Sequence, residues 1–395
     1  MIRPIQPHQT LHSLDDYFRL EFLPEAIDRG LSNDRIGELK QAVFRWKWWT
    51  EKGRESLTGE KDRTVSPGLG DVTPQALSEF RRSVIGQEIP GRDGKSRKVS
   101  PRSLNKTLQA IEQILAAAVE DGTLDESRGL VRVRKVPQPR QIGKLVIPDE
   151  TIAAIFKACD VATWPDSAGS KPIDPPSFWR AAVVMFATYG MRTQDLIRYE
   201  PHLRPIRWSS IRPAGINPSE NGSIESPLGW LAWVPNKTRG RKSFPLCLPI
   251  TPAVGHWLGR WRESFAPDDQ SAALFPCPLS KDGVYGQWRR ILAEAEAKPR
   301  PRLEFDADGN VEESSREYLI KHLRCTAGTR AESHGSTIGY TGVGRWITGH
   351  VSNDVFERHY HGQERPIFDT LTTLPMPTGI LPTDTQSPMR LRVVG

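Results

Sequence analysis

The sequence predicts two domains. One is helical and covers about residues 11–136; the other, from about 147, is a mainly helical α+β domain with a small antiparallel sheet. Three observations carry this. Apolar residues recur at helical spacing in four N-terminal segments. Three strand-like pieces, IRWSSIR, GWLAWVP and SFPLCLP, interrupt an otherwise helical second half. Between the halves runs VRVRKVPQPRQIGK, a basic stretch with two prolines and no helical periodicity, which has the composition of a linker.

The N-terminal helices are predicted in LDDYFRLEFLPEAI, DRIGELKQAVFRWKWWTEKG, TPQALSEFRRSVIG and SPRSLNKTLQAIEQILAAAVEDG. Thr73-Pro74 and Ser100-Pro101 each place a capping residue before a proline at the first helical position. GRDGKSRKVSPR reads as a polar, basic loop. From Arg81 to Lys106 there are eight Lys/Arg against two acids. A solvated loop has this composition too, but the next helix is itself basic, which points to a phosphate-contacting face. The candidates are Arg92, Lys95, Arg97, Lys98, Arg102 and Lys106, and, in the basic stretch, Arg132, Arg134 and Lys135. That stretch could lie along a duplex or serve only as a tether.

The second domain opens with a helix in IPDETIAAIFKACD. SFWRAAVVMFATYG is hydrophobic nearly all round, hence a buried helix, and Gly190 stops it before MRTQDLIRYE begins another. The last two strand pieces are joined by the turn NKTRGRK, and Phe244, Leu246 and Leu248 alternate as in a half-buried strand. Helices return in AVGHWLGRWRESF, VYGQWRRILAEAEA and the SREYLIKHLRCTAGTRAES region. DADGN reads as a turn, because its glycine comes too early for a calcium loop. Ser352 caps a last helix through NDVFERHY, which Gly362 ends; Phe356 shares a face with Tyr360.

A net charge of +7 and a pI near 9.2 favour a polyanionic partner, above all nucleic acid. Cys159, Cys247, Cys277 and Cys325 form no CxxC pair, so neither a zinc ribbon nor a disulfide framework is expected, and a reducing cytoplasm fits. MIRPIQPHQT lacks an apolar signal core, and AAVVMFATYGM is too short to span a bilayer, so no membrane association is expected.

Arg192, Lys237, Lys321, Arg324, His350 and Tyr360 have the makings of a phosphodiester transesterification site. A phenol with a pKa near about 10 becomes a nucleophile only beside cations or a base. In-line attack concentrates charge on two non-bridging oxygens, which two guanidinium groups can clamp. A lysine in a hairpin turn can protonate the leaving 5′ oxygen, and a histidine can donate to the phosphate. The sequence has no carboxylate cluster for a two-metal site. His350, His359 and His361 read as neutral histidines rather than as a metal set, so no metal or cofactor is expected.

TYGMRTQDL, the hairpin lysine, KHLRCTAGTR and TGHVSNDVFERHYHG, in that order, resemble the tyrosine recombinase (phage integrase) family. The match covers about 147–370, and the helical N-terminal domain is similar to that family's core-binding domain. The resemblance implies an integrase-like DNA breaking-rejoining fold. Its parts would be an N-terminal tail (1–10), a core-binding domain (11–136), a basic linker (137–146), a catalytic domain (147–375) and a C-terminal tail (376–395). It implies Arg192 and Arg324 as the phosphate clamp, Lys237 as general acid, Tyr360 as nucleophile and His350 as a phosphate donor. Lys321 stands where the family usually has histidine, Asp195 where glutamate is common, and the run from Arg324 to His350 is rich in glycine. The implied reaction makes a 3′-phosphotyrosyl intermediate without a cofactor. The implied partners are double-stranded DNA with specific sites, a homotetramer on that DNA, and accessory DNA-bending or directionality proteins of a mobile element. The tail is expected to pack on a neighbouring subunit. Two other readings share parts of this pattern: a type IB topoisomerase-like enzyme, and a catalytically impaired DNA-binding accessory protein.

Overall fold

Side-chain caps start most of the helices. Ser13, Ser32, Thr73, Ser100, Asp174, Thr251 and Ser280 each accept a hydrogen bond from the backbone N–H three residues on. The structure is a computed structural model that describes residues 13–53, 68–91, 94–125, 132–138, 145–199, 203–217, 224–236, 246–265, 269–278, 280–298, 302–305, 311–314, 317–349 and 363–381. The chain divides into two units: Met1–Arg140 with Phe305–Asn310, and Gln141–Glu304 with Val311–Gly395.

In the first unit, α1 (Leu14–Tyr17) runs into α2 (Leu23–Asp28) through a π-helical turn, Phe18–Phe22. Pro24 gives the reason: it lacks an N–H and its ring crowds the preceding turn, which widens to an i→i+5 bond from Leu23 N–H to Phe18 O. Next come α3 (Asn33–Trp48), α4 (Pro74–Val84), β1 (Glu88–Pro90), β2 (Ser96–Lys98) and α5 (Pro101–Glu120). α3 packs along α5, and Trp46, Trp49 and Phe80 close the core with ring centroids 5.3–5.6 Å apart.

Two sequence expectations change here. The basic loop contains a hairpin: β1 pairs antiparallel with β2, Ile89 opposite Arg97, because buried Ile89 and Val99 anchor its two legs. Residues 132–136 are no tether. Val133 N–H donates to Glu112 (2.8 Å), and the Asn105 amide donates to Val136 O and accepts from Val136 N–H (both 2.8 Å). The stretch is strapped along α5 with Val133 buried and Arg132, Arg134 and Lys135 exposed. Of the basic stretch, residues 131 and 139–144 lie outside the described residues.

The second unit contains α6 (Asp149–Ala158), α7 (Pro175–Tyr189), α8 (Thr193–Leu196), β3 (Ile211–Arg212), β4 (Trp230–Trp233), β5 (Leu246–Pro249) and α9 (Pro252–Ser264). It continues with α10 (Lys281–Glu294), β6 (Arg302–Phe305, of which Phe305 is grouped with the first unit), β7 (Val311–Ser314), α11 (Ile320–Thr337), α12 (Val343–Ile347) and α13 (Glu364–Thr373). α7 is the central helix, buried from Ala181 to Tyr189 and packed on α6, α9 and α11. The antiparallel sheet runs β5-β4-β3, with Leu246 opposite Trp233 and Leu231 opposite Ile211. β5 is buried at every position rather than at alternate ones, because α13 also packs on it. Of IRWSSIR only Ile211–Arg212 is strand; Trp208–Ser210 is a 3-10 turn. β6 and β7 form a two-stranded sheet, and the turn expected in DADGN lies outside the described residues.

The expected tail boundary is also corrected. Ile380 is fully buried in the second unit's own core, its carbonyl accepting from Trp257 Nε1 (2.8 Å), and Arg330 donates to Pro375 O. An apolar residue that fills its own unit's core is not available to a neighbour, so the chain through Leu381 belongs to this unit. Residues 382–395 lie outside the described residues. No helix among the described residues is long and apolar enough to cross a membrane. None of the four cysteines forms a disulfide.

Candidate active site

The site is built where α7 ends. Gly190 adopts a left-handed conformation (φ 59°) and its N–H bonds back to Phe186 O. A Cβ there would lie 2.9 Å from Thr348 Cγ2 and 3.2 Å from both Ala327 Cβ and Arg324 O, so three segments converge on a position only glycine fits. The turn sends Met191 inward and sets Arg192 at the N-cap of α8. Arg192 Nη1 lies 3.7 Å from Asp195 Oδ2; the Asp195 side chain is 3% exposed and that of Arg192 20%.

Asp195 also accepts a hydrogen bond from the backbone N–H of Asn236 (2.7 Å). Asn236 Nδ2 donates to Gln194 O (2.7 Å), and its Oδ1 accepts from Arg204 N–H (3.1 Å). Two of these bonds hold the residue that precedes Lys237 in sequence against the turn that carries Arg192, and the third ties it to Arg204.

Arg324 arrives from α11 and is buried. Its Nη1 donates to Gly190 O (2.5 Å) and its Nη2 to Thr348 O. One guanidinium thus ties the end of α7 to the end of α12. Burial, then the neighbouring charge of Arg192, pushes the Arg324 pKa down to about 10, against a smaller opposing effect of Asp195. Two cations and one carboxylate leave the cluster one positive charge in excess. Such a site, partly withdrawn from water, favours an anion bearing more than one acceptor oxygen.

α12 is gripped at its start by Glu332, whose carboxylate accepts from Gly342 N–H (2.7 Å) and Gly344 N–H (3.0 Å). Thr348 Oγ1 donates to Gly344 O (2.7 Å). These bonds fix Thr348, two residues before His350 in sequence.

Of the sequence-predicted catalytic residues, the structure brings Arg192 and Arg324 together. Lys321 is exposed in the first turn of α11, three residues before Arg324. His322 turns to the helix's own start, its Nδ1 accepting from Leu319 N–H (3.0 Å). Lys237, His350 and Tyr360, with the helix expected around Tyr360, lie outside the described residues. Of the candidate DNA contacts, Lys95, Arg97, Lys98, Arg102, Lys106, Arg132, Arg134 and Lys135 are exposed on the first unit, and Arg92 lies outside the described residues. Lys106 is ion-paired with Glu38. No group of three or more His, Cys, Asp or Glu among the described residues is placed to hold a metal. Sequence reasoning missed Asn236, Glu332 and Thr348, whose roles are bonds to distant backbone; the one local signal was the position of Asn236 directly before the hairpin lysine.

No protein-family model and no curated protein matches the chain. Solved structures do. The XerH site-specific recombinase bound to palindromic difH substrate, a post-cleavage complex, is similar at 14% identity over 90% of this chain and 81% of that one, TM-score 0.48. A lambda integrase dimer bound to a COC′ core site is similar at 15% identity over 89% and 75%, TM-score 0.46. The Tn1549 transposon integrase in complex with transposon right-end DNA is similar at 12% identity over 86% and 92%, TM-score 0.45.

Proposed function

We propose that the chain is a tyrosine-type site-specific recombinase that cuts and rejoins duplex DNA through a 3′-phosphotyrosyl intermediate. The observation that carries this is the convergence of Arg192 with buried Arg324, which ties together the chain ends leading towards Lys237 and His350. In this reading the two guanidiniums hold the non-bridging oxygens of the scissile phosphate. The Tyr360 oxygen bonds to phosphorus and releases its proton. The bond to the 5′ oxygen breaks, and Lys237 protonates that oxygen. The phosphotyrosine conserves the bond energy, so rejoining reverses the step without a nucleotide or metal. The protein acts as a homotetramer on two DNA sites, and accessory proteins set the direction of exchange.

A nicked suicide duplex carrying a candidate site from the DNA flanking the gene tests this on a denaturing gel. The wild type is expected to form a covalent adduct and Tyr360→Phe none. The exposed lysine at 321 favours a second reading, an accessory DNA-binding protein. Salt-sensitive binding without an adduct, on this and on a second set of sites, would establish that reading instead.

Asn236→Ala removes the two side-chain bonds to Gln194 and Arg204 but keeps the backbone bond to Asp195. If Asn236 positions the hairpin lysine, single-turnover cleavage is expected to fall about 10²-fold with duplex affinity unchanged, as for a displacement of about 1 Å in a catalytic group. Equal losses in binding and cleavage would assign Asn236 to general stability instead.

A further inference from the structure

Arg45 in α3 has no anionic partner among the described residues. Its Nη1 donates to two hydroxyls on α5, Ser103 Oγ (2.9 Å) and Thr107 Oγ1 (2.8 Å). Its Nε is buried without a hydrogen-bond partner. No carboxylate among the described residues lies within ion-pair distance of it. The neighbouring acid on the same helix, Glu38, is already shared by Arg35 and Lys106. Burial and the like charge of Arg97 both disfavour the Arg45 cation.

A half-buried guanidinium held between neutral hydroxyls costs stability, and a purely structural cross-link between α3 and α5 needs no charge. The surroundings say which anion offsets that cost. Arg97 on β2 and Arg102, directly before Ser103, are exposed, with Lys95 and Lys98 on the same hairpin. A run of separate cations suits a polyanion with regularly spaced charges rather than one small ion.

We propose that Arg45 is a phosphodiester-binding residue: steered by the Ser103 and Thr107 hydroxyls, and with Arg97 beside it, it holds one backbone phosphate of a nucleic-acid duplex. This goes beyond the strand-cleavage reading and does not need it, since a protein that binds without cutting would use the same contact.

The test uses the full chain carrying Tyr360→Phe, so that no covalent trapping contributes, and a fluorescein-labelled random duplex of about 30 base pairs. Affinity is measured from about 50 to about 200 mM KCl, with thermal unfolding alongside. Arg45→Gln is expected to lose about eightfold in affinity at about 0.1 M salt, with the slope of log K against log salt reduced by about one. Its melting temperature should be unchanged or higher. Parent-like affinity and slope in a folded Arg45→Gln would overturn the proposal. Should that variant fail to fold, Arg97→Gln decides: a slope reduced by about one supports the shared phosphate, and an unchanged slope overturns it. If inorganic phosphate at about 10 mM raises the parent's melting temperature while duplex affinity ignores Arg45→Gln, the site takes free phosphate and the duplex assignment fails.

Discussion

Arg324→Met is expected to lower adduct formation by about 10³-fold or more while shifting the melting temperature by only a few degrees. The activity loss follows from removing a fixed guanidinium from the charge that develops on the phosphate. The small stability effect is a balance of two opposing effects. Lowering of the Arg324 pKa from the ordinary arginine value to about 10 corresponds to roughly 3 kcal/mol of unfavourable burial, which methionine relieves. The substitution also leaves Gly190 O and Thr348 O without their guanidinium donor, at about 1–3 kcal/mol each. The two nearly cancel, so activity and stability should separate. A melting temperature lowered by about 10 °C or more would mean that Arg324 serves chiefly as a cross-link. The pH dependence has a definite sign. Above about 10 and below the ordinary arginine value the folded group has lost its proton and the unfolded one has not, so this group adds stability as pH rises there. Wild type should therefore gain stability relative to Arg324→Met above about pH 10, in the range where the clamp loses its charge and cleavage falls.

Local chemistry was legible in the sequence and long-range bonding was not. Ser100-Pro101 announced α5, and the apolar run ending at Gly190 announced the buried α7, because capping and periodicity act within a few residues. Residues 132–136 looked like a tether because their anchors, Asn105 and Glu112, lie more than twenty residues away on another element. The burial of Ile380 was hidden for the same reason, since it depends on Trp257. In the candidate site, Arg192 and Arg324 stand out in the sequence by residue type and order, but their convergence at Gly190 does not. Asn236 and Glu332 act by holding backbone segments, and no residue type announces that. Gly190 was legible as a helix stop but not as the point where three segments meet.

Gly344→Ala is expected to be strongly destabilising. A Cβ at Gly344 would lie 2.1 Å from Gly328 O and 3.0 Å from Gly328 C, both backbone atoms of α11 that no rotamer change can move. Gly344 has no left-handed φ, so backbone conformation is not the issue, and alanine's better helix propensity works in favour of the variant by about 1 kcal/mol. The clash decides the sign. α12 must move off α11, which stretches the Glu332 bond to Gly344 N–H and carries Thr348 away from Arg324. Overpacking of this kind costs about 1–3 kcal/mol or more, and the loosened bonds add to it, so a net loss of about 3 kcal/mol and a melting temperature lower by about 6–12 °C are expected. Gly286 supplies the control. It lies in α10 with nothing within 4 Å of an added Cβ, so the same substitution there should stabilise by about 0.5–1 kcal/mol. Opposite signs in the two variants, with cleavage lost only in Gly344→Ala and duplex binding kept in both, would place the effect at the α11–α12 contact. Equal signs would mean that the backbone approach at Gly328 relaxes without displacing Thr348, and the site would then tolerate a looser α12 than its bonds to Glu332 and Arg324 imply.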